Sequence, residues 1–384
     1  MIDKSSNFCV LPWIGLNVDV DGRLNPCCKY QQELDIRERD TLKNVTLKQA
    51  YNSERWQSLR KAFLNGEQPV PCKICWEEEK SGVESYRQHF LNTDKVDYSF
   101  VDFNQVVVDH PLVVDLKLNN VCNLKCRICN PYASSTYGKE YQQLYNTTID
   151  LKYFSSDKIF GTENEKIFTE WAKFIQHIEM SGGEPMTSPE NVRMLKMFSE
   201  VGDIQNKTIS INTNVTHWND TLINYLTKFK LAKIHLSIDD LGFRQEYHRY
   251  PSEWNVIEKN VDKYLELGSK YPNIQIILFC TVSIYNIYYI PEYETWRKNK
   301  NAHFFYNLLH HKSMHSIRNL PESAKEHVRK KLAHNFPKII NFLNLPQEHG
   351  AWGKFLEELT LLDNHRQQNF QETFPEWAKI IGIS

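Results

Sequence analysis

The chain has 384 residues, a net charge of -1 and a pI near 6.9. A balance this near neutral excludes the basic footprint of a nucleic-acid-binding protein, and no apolar run approaches the roughly 18 residues of a membrane span. The N-terminus lacks a signal peptide's apolar core, and eight of the nine cysteines fall in ligand-like groups, which predicts a reducing, cytoplasmic setting without disulfides.

The first group opens the chain. Cys9 precedes Pro12-Trp13 and the alternating residues Ile14, Leu16, Val18 and Val20, then Asp21-Gly22, Leu24 and Cys27-Cys28. Alternation around an Asp-Gly turn predicts a β-hairpin whose far ends bring Cys9 and Cys27 together. Residues 46–65 are amphipathic through Leu47, Tyr51, Trp56, Leu59 and Phe63, and Gly66 follows as a helix stop. That helix returns the chain to Cys72 and Cys75, a Cys-x2-Cys pair that also suits a structural zinc ribbon. Residues 90–108 read as a linker.

Six short β-branched or apolar runs come next, at 112–119, 177–181, 208–214, 233–239, 274–283 and 302–309. Helical periods lie between them, at 191–201, 221–229 and 254–267. Such alternation predicts parallel strands with right-handed crossovers, and catalytic groups at the strands' carboxyl ends. The first run leads into Cys122, Cys126 and Cys129, spaced Cys-x3-Cys-x2-Cys, and the second into Ser181-Gly182-Gly183-Glu184-Pro185. Three thiolates can hold a four-iron cluster and leave one iron open for a substrate. Glycines allow a positive φ or a close approach to a ligand, and proline sets the exit. Cys280, within the fifth run, reads as an inert core thiol. His310, His311 and His315 follow the last run, as proton donors or as a solvated turn. Beyond them Pro321, Pro346, Gly350 and Pro375 punctuate a helical region.

The cysteine loop and the Gly-Gly-Glu-Pro turn one β-α unit later resemble the radical S-adenosylmethionine (radical SAM) enzymes. The resemblance implies an α/β fold: a partial (β/α)6 TIM-like barrel, preceded by a small cysteine-rich α+β domain and followed by a helical tail. On that reading residues 1–89 form the auxiliary domain, 90–108 the linker, 109–310 the barrel and 311–384 the C-terminal region. It implies that Cys122, Cys126 and Cys129 ligate the catalytic [4Fe-4S] cluster, and that Gly182, Gly183 and Glu184 hold the amino end of SAM. Ser237, in Ser237-Ile238-Asp239, would contact the SAM carboxylate or ribose, and Arg249 the carboxylate, since its planar fork offers two hydrogen bonds. Thr213 and Asn214 close the third strand and Ser283 the fifth, as SAM contacts or as simple strand-end caps. The residue before the last cysteine is usually aromatic in the family. Here it is Ile128, which keeps apolar contact with adenine but cannot stack.

The pattern Cys9-x12-Gly22-x4-Cys27 resembles the opening of SPASM and twitch modules, which normally follow the barrel. That implies an auxiliary [4Fe-4S] cluster on Cys9, Cys27, Cys72 and Cys75, with Cys28 able to replace Cys27. By resemblance, an external one-electron reductant such as flavodoxin or ferredoxin supplies the electron that cleaves SAM, and a 5′-deoxyadenosyl radical then abstracts hydrogen from an unactivated carbon. A fully ligated auxiliary cluster suits electron acceptance, hence oxidative crosslinking or dehydrogenation. The expected substrate is a peptide or protein; a small metabolite such as a carbohydrate is the alternative. A non-catalytic zinc-binding adaptor is the alternative of another class.

Overall fold

The computed structural model describes residues 7–31, 40–93, 96–150, 155–309, 313–332 and 335–383. One eight-stranded sheet organises them, in the order β2-β1-β3-β4-β5-β6-β7-β8. Its strands are β1 (Gly15–Val18), β2 (Leu24–Asn25), β3 (Val113–Leu116), β4 (His177–Met180), β5 (Thr208–Thr213), β6 (Leu231–Ser237), β7 (Ile274–Val282) and β8 (His303–Leu308). Strands β3 to β8 are the six expected from the sequence, and each pairs parallel with the next. The sheet is open, with β2 and β8 as its edges.

The N-terminal hairpin forms, with β1 antiparallel to β2, but it does not stand apart from the barrel strands. Strand β1 pairs parallel with β3, Gly15 opposite Val113 and Val18 opposite Leu116. All four residues of β1 are buried. Leu16 and Val18 join the main apolar core, while Asn17 on the other face donates from Nδ2 to Asp115 Oδ2 at 2.9 Å. A buried polar residue with a partner is acceptable where an unpaired one is not.

Val114, Leu116, Ile178, Met180, Ile209, Ile211, Ile234 and Leu236 pack one face of the sheet into the core. The opposite row is polar: Asn17, Asp115, Glu179, Ser210 and Lys233 lie side by side in register. Period two along each strand separates the rows.

Residues 46–65 form two helices, Leu47–Tyr51 and Glu54–Leu64, where the period predicted one. Thr46 and Gln49 close a capping box on the first. Asn52 breaks the run because its side chain is committed elsewhere: Nδ2 donates to Val108 O at 2.8 Å and Oδ1 accepts from Val108 N at 2.9 Å. Gly66 ends the second helix with φ of 75°, a left-handed conformation that glycine adopts at little cost. The N-terminal region has its own apolar cluster, including Phe8, Val10, Trp13, Ile14, Phe63, Trp76 and Phe90, and it reaches Leu112 and Val113 at the start of β3. No helix among the described residues is long and apolar enough to cross a membrane.

Candidate active site

The cysteine loop leaves the carboxyl end of β3. Cys122 and Cys126 are buried beside Leu124, and Cys129 packs against them half-buried. Burial pushes the Cys122 and Cys126 thiols up, Cys122 to about 12, so deprotonation here needs a compensating cation, as metal ligation supplies. Hydrogen-bond donors already face two of the sulfurs. Asn214 Nδ2 lies 3.8 Å from Cys122 Sγ, Leu124 N 3.5 Å from the same atom, and Arg249 Nη1 3.9 Å from Cys126 Sγ. Donors to sulfur are a recognised lever on cluster potential.

The Gly-Gly-Glu-Pro turn after β4 seats directly on this loop. Gly182 and Gly183 have φ of 82° and 53°. A Cβ on Gly183 would meet Val121 O at 2.3 Å, and one on Gly182 would meet Lys117 Cβ at 2.8 Å. Both the backbone conformation and the close approach therefore require glycine. Gly183→Ala is expected to displace residues 120–121 and lower the iron held by the neighbouring loop. Iron content equal to wild type in a folded Gly183→Ala protein would show that the two segments do not depend on each other.

Glu184 is buried at 1% exposure. Its Oε1 accepts from Met186 N at 3.0 Å and Thr213 Oγ1 at 2.7 Å, and its Oε2 from Asn214 N at 2.6 Å. Burial pushes this carboxyl up, and the donors together with Arg249 oppose the rise. A carboxylate offers about four lone-pair directions. Two are used to tie the turn after β4 to the end of β5 and one to close the turn itself, which leaves one on Oε2 for a ligand.

Asp239, fully buried, accepts from Arg249 Nε at 2.8 Å and from Thr281 N at 2.9 Å. Asp239 and the Cys126 sulfur hold the Arg249 guanidinium charged against its burial. The structure thus gathers Cys122, Glu184, Thr213 and Asn214 into one group and Cys126, Asp239 and Arg249 into a second around the same loop. Ser237 ends β6, half-buried. Ile128 packs half-buried against the main core. Ser283 is buried at the end of β7, its Oγ without a hydrogen-bond partner among the described residues.

The N-terminal cysteines assemble around one cavity lined by Cys9, Cys27, Cys72 and Cys75, together with Leu11, Lys29, Tyr30, Phe63 and Arg87. Cys28 does not line it. Burial pushes the Cys28 thiol up, and the charges around it are Asp115, Glu179, Lys29 and Lys117. Cys27 instead feels Cys75, Cys72 and Cys9 as well as Cys28. Among the described residues no group of three or more His, Cys, Asp or Glu is gathered closely enough to hold a single metal ion.

Of the histidines after β8, His310 and His311 lie outside the described residues. His315 is buried, with Nε2 3.0 Å from Glu358 Oε1, which is neither a solvated turn nor an open proton donor. Arg127, Glu140, Asp363 and Arg366, which no motif singled out, surround the cysteine loop at close range. Their partners lie 226 to 241 residues away in sequence, beyond any local signal.

The strand-end cysteine loop and the Gly-Gly-Glu-Pro turn thus meet at the carboxyl ends of neighbouring parallel strands. Residues 116–291 match the family model of the radical SAM superfamily, and residues 9–76 that of an iron-sulfur cluster-binding domain, SPASM. Residues 116–291 thus carry a radical SAM region, and a SPASM region lies ahead of it. With these regions go SAM, a [4Fe-4S] cluster and an auxiliary iron–sulfur cluster. A search of curated proteins found no match. Among solved structures, native anSMEcpe with bound AdoMet is 17% identical with a TM-score of 0.41, the match covering 62% of this chain and 63% of that one. Streptococcus suis SuiB bound to S-adenosylmethionine is 12% identical with a TM-score of 0.37, over 78% of this chain and 66% of that one. SuiB bound to precursor peptide SuiA is 11% identical with a TM-score of 0.35, over 88% and 71%.

Proposed function

We propose that the protein is a radical SAM enzyme that oxidises a peptide or protein substrate. The observation that carries this reading is the docking of the Gly182-Gly183-Glu184 turn onto the three-cysteine loop, with Glu184 N donating to Val121 O at 2.8 Å. When bound, the open cluster supplies one-electron cleavage of SAM to methionine and the hydrogen-abstracting 5′-deoxyadenosyl radical. The chain's own part is positioning. Cys122, Cys126 and Cys129 hold the cluster, the spare Oε2 direction of Glu184 takes the SAM amino group, and Arg249, braced by Asp239, offers its remaining Nη donors to the carboxylate. Thr213 and Asn214 fix Glu184; Ser237, Ser283 and Ile128 complete the SAM pocket.

Cys9, Cys27, Cys72 and Cys75 would hold the auxiliary cluster, which would supply an acceptor for the second electron of a two-electron substrate oxidation. A peptide is favoured over a small metabolite by β8, the edge strand of the sheet among the described residues, which carries the exposed His303 and Phe305; an extended chain can add to such an edge. Reduced protein given SAM and a library of small encoded peptides should release a product lighter by two hydrogens. Such a product from a metabolite extract, and from no peptide, would overturn the peptide assignment.

Glu184→Gln tests the SAM contact. A hydrogen bond to a charged group is worth about 1.5–3 kcal/mol, so SAM binding should weaken roughly tenfold or more while the cluster still assembles. Unchanged SAM affinity at full iron content would reduce the turn to a structural connection.

A further inference from the structure

Residues 125–127 of the cysteine loop are held from outside the barrel. Arg127, between Cys126 and Cys129, is completely buried. Its Nη2 donates to Asp363 Oδ1 at 2.5 Å and to Gln368 Oε1 at 2.9 Å, and its Nε to Tyr247 O at 3.2 Å. The guanidinium lies over the Tyr247 ring, 3.7 Å from its centre. Asp363 is a hub: it also accepts from Tyr247 Oη at 2.7 Å and from Phe370 N at 2.8 Å. One turn further along the same helix, Ala351–Arg366, Arg366 Nη2 donates to Lys125 O at 2.7 Å and to Glu140 Oε2 at 2.5 Å. Glu140 lies on the helix Ser135–Tyr145 that follows the loop. The backbone N–H groups on either side of Cys126 are fixed too, Lys125 N to Tyr250 O at 2.6 Å and Arg127 N to His248 O at 2.9 Å.

We infer that the C-terminal helix Ala351–Arg366 is part of the cluster site, with Asp363 and Arg366 as positioning residues that clamp the Cys126 segment of the loop. This rests on the reading of Cys122, Cys126 and Cys129 as cluster ligands. Two buried arginine–carboxylate pairs flank one ligand, and two N–H···O=C bonds brace it from the segment bearing Arg249. A buried arginine that loses its carboxylate keeps an uncompensated charge, so the loop must move or admit water. The cluster's distance to Arg249 and to the Glu184 turn then changes, and with it the seating of SAM. Fixing ligand orientation through outer partners is a general feature of metal sites.

The test uses the full chain, reconstituted anaerobically, with the variants Asp363→Asn and Arg366→Met and an exposed control on the same helix, Glu357→Gln. Expected are a SAM dissociation constant raised at least tenfold and loss of the SAM-induced change in the EPR spectrum of the reduced barrel cluster. The auxiliary-cluster signal should persist unchanged, and Glu357→Gln should match wild type. Asp363→Glu should recover part of the response. Asp363→Asn and Arg366→Met proteins with wild-type SAM affinity and spectrum overturn the clamp. Should both fail to fold, Gln368→Ala, which removes one partner of the same guanidinium, decides by the same two readouts: a weakened response supports the clamp and a wild-type response overturns it. A wild-type protein with no SAM-responsive cluster overturns the parent reading, and the clamp with it.

Discussion

Replacing Cys122, Cys126 and Cys129 together by Ala should halve the iron, from about eight to about four per chain, because each four-iron cluster has its own thiolates. The expectation rests on the two sets being separate in space. Cys9, Cys27, Cys72 and Cys75 line one cavity in the N-terminal region, while Cys122 and Cys126 pack with Leu124 at the end of β3. The remaining irons should carry acid-labile sulfide, and no 5′-deoxyadenosine should form from SAM. Loss of all iron in a variant whose circular dichroism matches wild type would mean that the N-terminal set cannot hold a cluster alone.

The converse double variant, Cys72→Ala with Cys75→Ala, separates the two electron transfers. SAM cleavage needs the barrel cluster alone, so a strong reductant should still produce 5′-deoxyadenosine. Substrate oxidation should fall by orders of magnitude, because the substrate radical has lost its electron acceptor. The region has cohesion of its own: Arg60, buried, donates to Pro12 O at 2.8 Å, Tyr51 O at 2.9 Å and Val106 O at 2.7 Å. Metal loss can nonetheless unfold a small region, so barrel-cluster content is measured first. Full product at the wild-type rate from the folded variant would make the auxiliary site structural and end the oxidative mechanism.

The six parallel strands were legible because each is a run of β-branched or apolar residues framed by polar turn residues, a pattern that depends on near neighbours alone. The cysteine loop and the Gly-Gly-Glu-Pro turn were legible for the same reason. The attachment of β1 to β3 was not, since Asn17 reads as a solvent-facing residue until Asp115 is placed beside it. The break at Asn52 depends on Val108, 56 residues away. Cys27 lines the N-terminal cavity and Cys28 does not, a difference that spacing alone cannot foresee. Most hidden of all were Asp363 and Arg366, which read as ordinary charged residues near a helix end. Their partners Arg127 and Glu140 sit more than two hundred residues earlier. The engagement of Arg249 with Asp239 and its approach to Cys126 Sγ were likewise not legible in the sequence.

The account's central claim is that Cys122, Cys126 and Cys129 carry a SAM-cleaving cluster. Anaerobically reconstituted wild-type protein, reduced and mixed with SAM, should release 5′-deoxyadenosine and methionine in equal amounts, with both products absent when the three cysteines are Ala. Stoichiometric zinc, no acid-labile sulfide and no 5′-deoxyadenosine from the wild-type protein would contradict it.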